Sequence, residues 1–243
     1  MNWNKEEIFE TLKEILGEKA DGIYISYDTV DSAAEDLFYA DSELTKPICN
    51  SFNTMVKTGL TRIVLIPNNK DYVIKLPVTG VYGNIYDEYG CDDPENCEIK
   101  KYVDLEEYNV FDNEQVIYDN LFSESKEVFS LSIYIGNFNN IPVYIQEKVD
   151  QIRFDMMPSI SKEDSKKVST LTSRHHYKEF VERPLTDDFI ISLINLYGEE
   201  AAGYILEDCK NIDDLHTNNY GYTKEGKPVI FDFAGFDGEM YEW

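Results

Sequence analysis

The feature that most constrains this chain is a pair of polar clusters flanking a turn near its end. The first cluster, Asp214-Leu215-His216-Thr217-Asn218-Asn219, holds an Asp with an Asn five positions later. The second, Val229-Ile230-Phe231-Asp232-Phe233, places one Asp inside an apolar run. Between them lies the turn signal Lys224-Glu225-Gly226-Lys227, and apolar runs on both sides of a Gly-containing turn predict a β-hairpin. Such a hairpin brings Asn219 and Asp232 together.

These residue types suit the chemistry of phosphoryl transfer. Asn219 and Asp232 offer two oxygen ligands side by side, which suits Mg²⁺, an ion that prefers one or two carboxylates together with substrate phosphates. Asp214 is then available to take a proton from an attacking hydroxyl group. The alternative is a hairpin with polar ends, because isolated Asp and Asn residues often serve as turn or capping residues.

The two clusters resemble the catalytic and metal-binding loops of the protein-kinase-like superfamily, where D-L-H-x-x-N precedes a hairpin and an apolar-Asp-Phe pair. His216 makes the loop most similar to that of the aminoglycoside and choline phosphotransferase branch. The resemblance implies an α+β, two-lobed protein-kinase-like fold with an antiparallel-sheet N-lobe and a small helical C-lobe. It also implies ATP and Mg²⁺ as cofactors, Asp214 as a catalytic residue, and Asn219 and Asp232 as metal ligands.

Two predicted strands upstream, at 60–67 and 72–77, match the start of such an N-lobe. Val73-Ile74-Lys75-Leu76 resembles the third N-lobe strand of kinases, which implies that Lys75 is catalytic and contacts the α- and β-phosphates of ATP. The alternative is a strand lysine that faces water. Of the Gly-rich loop that usually precedes this strand only Gly59 remains, so the nucleotide-binding loop is reduced.

A helix predicted at 112–122 contains the counterpart of the kinase glutamate that pairs with the strand lysine. Glu114 is the best match for this catalytic residue, with Glu107 as the fallback, and the pairing would hold Lys75 at the phosphates. The alternative for Glu114 is a first-turn acid that interacts favourably with the helix dipole.

A second predicted hairpin, 131–135 with 142–149, ends in a strand similar to the last N-lobe strand of the family. On that match Gln146 lies at the back of the adenine pocket. The resemblance implies that the backbone groups of Glu147 and Val149 bind the adenine.

The domain organisation follows from these matches. We predict an N-terminal helical extension at 1–50, a kinase-like N-lobe at 51–149 with an acidic insert at 81–110, and a truncated kinase-like C-lobe at 150–243. The extension is predicted to hold helices at 4–17 and 32–44, and the C-lobe one buried helix at 189–206. The acidic insert is interpreted as a solvated loop, or alternatively as a docking surface for a basic partner. Because the sequence ends at Trp243, soon after Asp232, we expect a minimal form with no activation segment.

Composition limits the classes of partner. The chain has 243 residues and a net charge of −25, since 47 acidic side chains outnumber 22 Lys and Arg. This charge disfavours direct binding to nucleic acid or to anionic membranes, and it favours basic proteins or cations. With 18 Tyr the chain is too aromatic for a disordered acidic segment.

Cysteine and histidine usage indicates no metal cluster. Cys91 and Cys97 flank an acidic segment, where a disulfide or a metal loop is the alternative to the free thiols that we expect. His175-His176 is expected at the surface, because adjacent side chains point apart and chelate poorly. The absence of a leader and of a long apolar run predicts a cytoplasmic protein.

The sequence therefore predicts an enzyme that moves the γ-phosphoryl group of ATP to a hydroxyl of a protein or small-molecule acceptor. The alternative is a catalytically silent kinase-like acidic binding protein, acting as an inhibitor or nucleic-acid mimic on a basic partner. Transfer of a nucleotidyl group is a third hypothesis.

Overall fold

The fold, obtained as a computed structural model, is α+β with mainly antiparallel sheets. The structure describes residues 3–27, 37–59, 61–84, 100–104, 110–151, 160–212 and 215–234. Their elements, in chain order, are α1 (Lys5–Leu16), β1 (Tyr24–Tyr27), β2 (Leu37–Tyr39), β3 (Thr54–Thr58), β4 (Arg62–Pro67), β5 (Tyr72–Pro77), β6 (Gly80–Asn84), β7 (Lys100–Asp104), α2 (Val110–Asn120), β8 (Ile133–Phe138), β9 (Ile141–Glu147), β10 (Asp150–Gln151), α3 (Lys162–Arg174), α4 (Tyr177–Phe180), α5 (Asp187–Tyr197), α6 (Glu199–Cys209), β11 (Tyr220–Tyr222) and β12 (Pro228–Ile230).

The chain forms two compact units. The first contains residues 1–109 and 133–145, and the second contains residues 110–132 and 146–243. Helix α2 therefore groups with the helices that follow β9 rather than with the strands that precede it.

A five-stranded sheet in the order β3-β4-β5-β9-β8 is the centre of the first unit. Strand β5 is buried along its whole length, and the neighbouring strands contribute Ile63, Leu65 and Val143 to the same core. The predicted strands 60–67 and 72–77 are confirmed as β4 and β5, which pair antiparallel. The second predicted hairpin is confirmed as β8 and β9.

Helix α1 confirms the predicted N-terminal amphipathic helix. Asn4 caps it, because its side-chain oxygen accepts the backbone N–H groups of Glu6 at 3.1 Å and Glu7 at 3.4 Å. The apolar residues predicted to face inward are all buried: Ile8, Leu12, Ile15 and Leu16.

The second predicted helix, at 32–44, is wrong where the structure describes it. Residues 37–39 form strand β2, in a four-stranded sheet of order β2-β1-β6-β7. In this sheet β1 pairs antiparallel with β2 and parallel with β6. A buried Phe38 between two more exposed neighbours fits a strand period of two, and β2 pairs in register with β1.

The interpretation of the acidic insert at 81–110 as a solvated loop is likewise wrong for part of the segment. Residues 81–84 and 100–104 belong to β6 and β7, which pair antiparallel from Gly80↔Asp104 to Asn84↔Lys100. Residues 85–99, with Cys91 and Cys97, and residues 105–109 lie outside the described residues. The remaining cysteines, Cys49 and Cys209, are free thiols.

The second unit is built on α3, α5 and α6, which share one apolar core with Val128, Phe129 and Phe233. The single helix predicted at 189–206 is wrong. Gly198 ends α5 with φ 88° and ψ 164°, and α6 starts at the next residue. That backbone conformation suits glycine, so Gly198 allows the chain to change direction between two buried helices.

None of the helices among the described residues is both long enough and apolar enough to cross a membrane.

Candidate functional site

The predicted C-terminal hairpin is confirmed. Strands β11 and β12 pair antiparallel with Tyr220 opposite Ile230 and Tyr222 opposite Pro228. Gly226 closes the turn with φ 80°, and its N–H donates to Thr223 O at 2.8 Å. The turn therefore contains glycine at the position that needs a left-handed backbone.

The hairpin brings Asn219 and Asp232 side by side. The carbonyl oxygen of Asn219 accepts the N–H groups of Phe231 at 2.9 Å and of Asp232 at 3.3 Å. Asn219 is buried and Asp232 is half-buried. The backbones of the two predicted metal ligands are thus hydrogen-bonded to each other.

Each of these two residues is followed by a buried aromatic anchor. Tyr220 lies in the core, where its hydroxyl accepts the backbone N–H of Thr186 at 3.2 Å, and burial raises the pKa of this phenol. Phe233 packs edge-on against Phe129, with ring centroids 5.2 Å apart. Two anchored neighbours limit how far Asn219 and Asp232 can move relative to the core.

The donor chemistry of this pair fits Mg²⁺. An amide oxygen and a carboxylate are hard ligands, and Mg²⁺ commonly keeps waters and substrate phosphates in its remaining positions. Among the described residues no group of three His, Cys, Asp or Glu side chains is placed to hold a metal ion by itself.

The loop that precedes β11 is ordered by local and distant hydrogen bonds. Leu215 is buried, and the backbone N–H of Asn218 donates to His216 Nδ1 at 3.2 Å. The neutral His216 ring therefore carries its proton on Nε2. Gln151 Nε2 donates to Asn218 O at 2.9 Å. Asp214, the predicted catalytic base, lies outside the described residues.

A pocket of about 390 Å³ opens beside this loop. Leu215 and His216 line one part of it, and Phe180, Arg183 and Lys210 line another. The Phe180 ring is 70% exposed and lies 5.8 Å from Lys210 Nζ. The pocket thus combines an exposed aromatic ring with hydrogen-bond donors. It is also lined by Leu215, the residue that follows Asp214 in the sequence.

In the first unit, Lys75 is buried within β5. It pairs in register with Val64 and is only 2% exposed, so the alternative of a lysine facing water is wrong. Gly59 lies in the turn between β3 and β4, where its N–H donates to Arg62 O at 3.0 Å. This is the turn to which the resemblance assigns the reduced Gly-rich loop.

In the second unit, Glu114 is fully buried in α2. Its carboxylate accepts the backbone N–H of Ser132 and, at 3.2 Å, the Ser132 hydroxyl. The alternative of a first-turn acid at the helix dipole is wrong, because the acid in the first turn is Asp112. The fallback residue Glu107 lies outside the described residues.

The side chain of Gln146, near the end of β9, donates a hydrogen bond to Phe231, the residue before Asp232. The Gln146 side chain is 1% exposed, and its Nε2 donates to Ser130 O and, at 2.9 Å, to Phe231 O. Glu147 and Val149, whose backbone groups were assigned to adenine, are half-buried. The sequence did not reveal the Gln146 contact, because the residues it joins are 85 positions apart.

His175 is another residue that the sequence placed wrongly. Its ring is half-buried, and Nδ1 lies 2.8 Å from Glu207 Oε1. Gly203 makes this possible, since a Cβ there would lie 2.6 Å from His175 Nε2. A glycine in the middle of an otherwise regular helix was the available sign of such a close approach.

Comparison with protein-family models, with curated proteins and with solved structures finds no match to this chain.

Proposed function

We propose that this protein is a minimal kinase-like phosphotransferase with a two-lobed fold, which moves the γ-phosphoryl group of ATP to a hydroxyl group in the presence of Mg²⁺. The observation that carries the proposal is the hydrogen bonding of Asn219 O to the N–H groups of Phe231 and Asp232. It supports the proposal because it holds the backbones of the two residues to which the motif assigns metal binding next to each other, on a short hairpin with buried aromatic anchors.

The burial of Lys75 and Glu114 supports the proposal. Lysine and glutamate are almost never fully buried unless they are paired, and buried ionisable groups are common at functional sites. Lys75 is in the third strand of the five-stranded sheet, counted along the chain, and Glu114 is in the helix between that strand and β8. This is the order in which the kinase-like resemblance requires the two residues.

Each residue has a defined role in the proposed reaction. Asn219 and Asp232 would hold Mg²⁺, which would supply charge neutralisation at the phosphates. Lys75 contacts the α- and β-phosphates, and Asp214 orients the acceptor hydroxyl and takes its proton. Catalysis of this kind depends on positioning and charge stabilisation, without a covalent intermediate.

We further propose a small molecule as the acceptor. The pocket of about 390 Å³ lies beside Leu215 and His216, and its volume falls in the range that holds small ligands. His216 lines the pocket, and Phe180 offers an exposed ring for a flat or apolar part of the acceptor.

Thermal shift with ATP and MgCl₂ tests the proposal. ATP with MgCl₂ should raise the melting temperature of the wild type, because a ligand that binds only the folded state stabilises it. Asp232→Asn should abolish the Mg²⁺-dependent part of the shift. The matched control is Glu225→Gln, which removes one exposed negative charge from the turn of the same hairpin and should keep the full shift.

Because the protein is strongly acidic, MgCl₂ alone and NaCl at equal ionic strength must be measured in parallel. A shift that needs both ATP and MgCl₂ supports the proposal. Equal shifts in wild type and Asp232→Asn would show that these residues do not hold the ion, and the proposed function would then be wrong.

The net charge of −25 favours one second candidate, a silent kinase-like binding protein for a basic partner. This candidate predicts no nucleotide shift at millimolar ATP. It also predicts partner binding that weakens steeply with salt, since charge attraction would dominate the complex. Binding that is insensitive to salt would exclude it.

A further inference from the structure

The side-chain amide of Gln146 is unusual among the buried polar groups of the second unit. Its NH₂ group donates to two backbone carbonyls, Ser130 O and Phe231 O. Its own oxygen, Oε1, is buried without a hydrogen-bond partner. An unsatisfied buried acceptor costs free energy, and an apolar side chain of similar size would avoid that cost. The two hydrogen bonds that the amide nitrogen donates therefore explain why an amide, rather than an apolar side chain, occupies this position.

The nitrogen of Gln146 completes a ring of hydrogen bonds around the strand that leads to Asp232. Ser130 N–H donates to Ile230 O at 2.8 Å, and Ile230 N–H donates to Val128 O at 2.9 Å. Gln146 then connects Ser130 O with Phe231 O. The segment after β12 is thus bound on this side by both backbone and side-chain donors.

Phe231 is consequently fixed at both of its backbone polar groups. Its N–H donates to Asn219 O at 2.9 Å, and its carbonyl accepts from Gln146 at 2.9 Å. The carbonyl of Phe231 belongs to the peptide plane whose nitrogen is that of Asp232. Holding this oxygen fixes the plane, and with it the Asp232 nitrogen and the direction of its bond to Cα.

We infer that Gln146 is a positioning residue, which fixes the Phe231–Asp232 peptide so that the Asp232 carboxylate meets Mg²⁺ together with Asn219. This inference rests on the proposed function and gives Gln146 a role other than contact with adenine. Outer-shell groups that hold a metal ligand commonly change metal affinity by about 10–100-fold when they are lost.

The test compares Gln146→Met with the wild type in thermal shifts measured at fixed ATP over a series of buffered free Mg²⁺ concentrations, because ATP in solution binds Mg²⁺ itself. Methionine has a similar length and no donor, so the Phe231 carbonyl loses its partner. We expect the free Mg²⁺ concentration that gives half of the shift to rise about tenfold or more. Gln146→Asn, which keeps the amide but is shorter by one methylene, is the second variant if the first does not fold.

Thr172→Val is the matched control, because it removes a buried polar group of the same unit at a site on α3. Thr172 Oγ1 donates to Val168 O at 2.9 Å, so the variant also leaves a backbone carbonyl with one donor fewer. It should lower the melting temperature without changing the Mg²⁺ affinity. A merely structural Gln146 would behave in the same way.

Amide hydrogen exchange gives a readout that does not depend on ligand. Gln146→Met should speed exchange at Phe231 and Asp232 more than at Tyr222, which lies farther along the hairpin. Wild-type Mg²⁺ affinity in a folded Gln146→Met protein would overturn the inference alone. Absence of Mg²⁺-dependent ATP binding in the wild type would overturn the proposed function and this inference with it.

Discussion

Asp208 shows at the scale of a single residue how burial and hydrogen bonding oppose each other. This carboxylate, 7% exposed at the end of α6, accepts the backbone N–H of Phe122 at 3.1 Å. Burial raises its pKa above the ordinary value, despite that hydrogen bond. The folded state therefore favours the protonated form. The stability from this preference is present below the unfolded pKa and is lost as pH rises through the folded pKa.

Asp208→Asn should consequently stabilise the protein near neutral pH. Asparagine keeps an acceptor for Phe122 N–H but carries no charge, so we expect the free energy of unfolding to rise at pH 7. The gain should shrink as the pH falls from 7 through the raised pKa of Asp208, because the wild-type side chain then becomes protonated as well. Urea denaturation of both proteins across this pH range measures the effect.

Asp208→Ala is the control for the lost acceptor. It leaves the backbone N–H of Phe122 without this acceptor, and we expect it to be less stable than Asp208→Asn by about 1–3 kcal/mol at every pH. If Asp208→Asn were as destabilising as Asp208→Ala, the charge of Asp208 would be needed and its raised pKa would not be the controlling feature.

At the scale of elements, the absence of a side chain at Gly221 allows β10 to pair with β11. Asp150 and Gln151 of β10 pair with Tyr222 and Gly221. A Cβ built on Gly221 would lie 2.1 Å from Asp150 O and 3.0 Å from Gln151 Cα. Since both atoms belong to the backbone, no side-chain rotation relieves this contact.

Gly221→Ala should therefore separate β10 from β11 and lower stability by about 1–3 kcal/mol or more. We expect the melting temperature to fall by several degrees, and faster exchange of the Gln151 amide. The control is Gly59→Ala, whose Cβ would meet only Arg62 O, at 3.4 Å. A Gly221→Ala protein as stable as the control, with protected Gln151, would contradict the close approach.

The elements also show how far the sequence could predict the structure. Helix α1 and the β11–β12 hairpin were predictable, because capping by Asn4 and the turn at Gly226 are local signals. Strand β2 was not, since the apolar pattern around Phe38 suits either structure and its sheet depends on the pairing of β1 with β6, 56 positions further along the chain. The break at Gly198 had a visible signal, a glycine between two apolar helical segments.

In the candidate site, too, some features could be predicted from the sequence and others could not. Asn219 and Asp232 could be paired from the sequence, because they flank one short hairpin. The contacts that hold Glu114 to Ser132 and Gln146 to Phe231 could not, since they form only when distant segments pack together. Burial of Lys75 was equally hidden, because alternation along a strand allows either face.

At the scale of the whole molecule, charge is the dominant feature. The net charge is −25, whereas the ion pairs among the described residues are mostly exposed, such as Lys13 with Glu18 and Lys178 with Asp187. Exposed pairs contribute little, typically about 0–1 kcal/mol each. Repulsion among the excess acids should therefore outweigh the attraction in these pairs and lower the stability of the folded chain at low salt.

Salt should then stabilise the protein. Raising NaCl from about 0.01 M to about 0.15 M shortens the Debye length from about 30 Å to about 8 Å, which screens most of this repulsion. If the relief is about 1 kcal/mol or more, the melting temperature should rise by at least about 2–4 °C for a chain of this size. Measurements in EDTA, with choline chloride beside NaCl, separate screening from cation binding. Equal rises in the two salts support screening, whereas a melting temperature that falls with salt would mean that attractive pairs dominate.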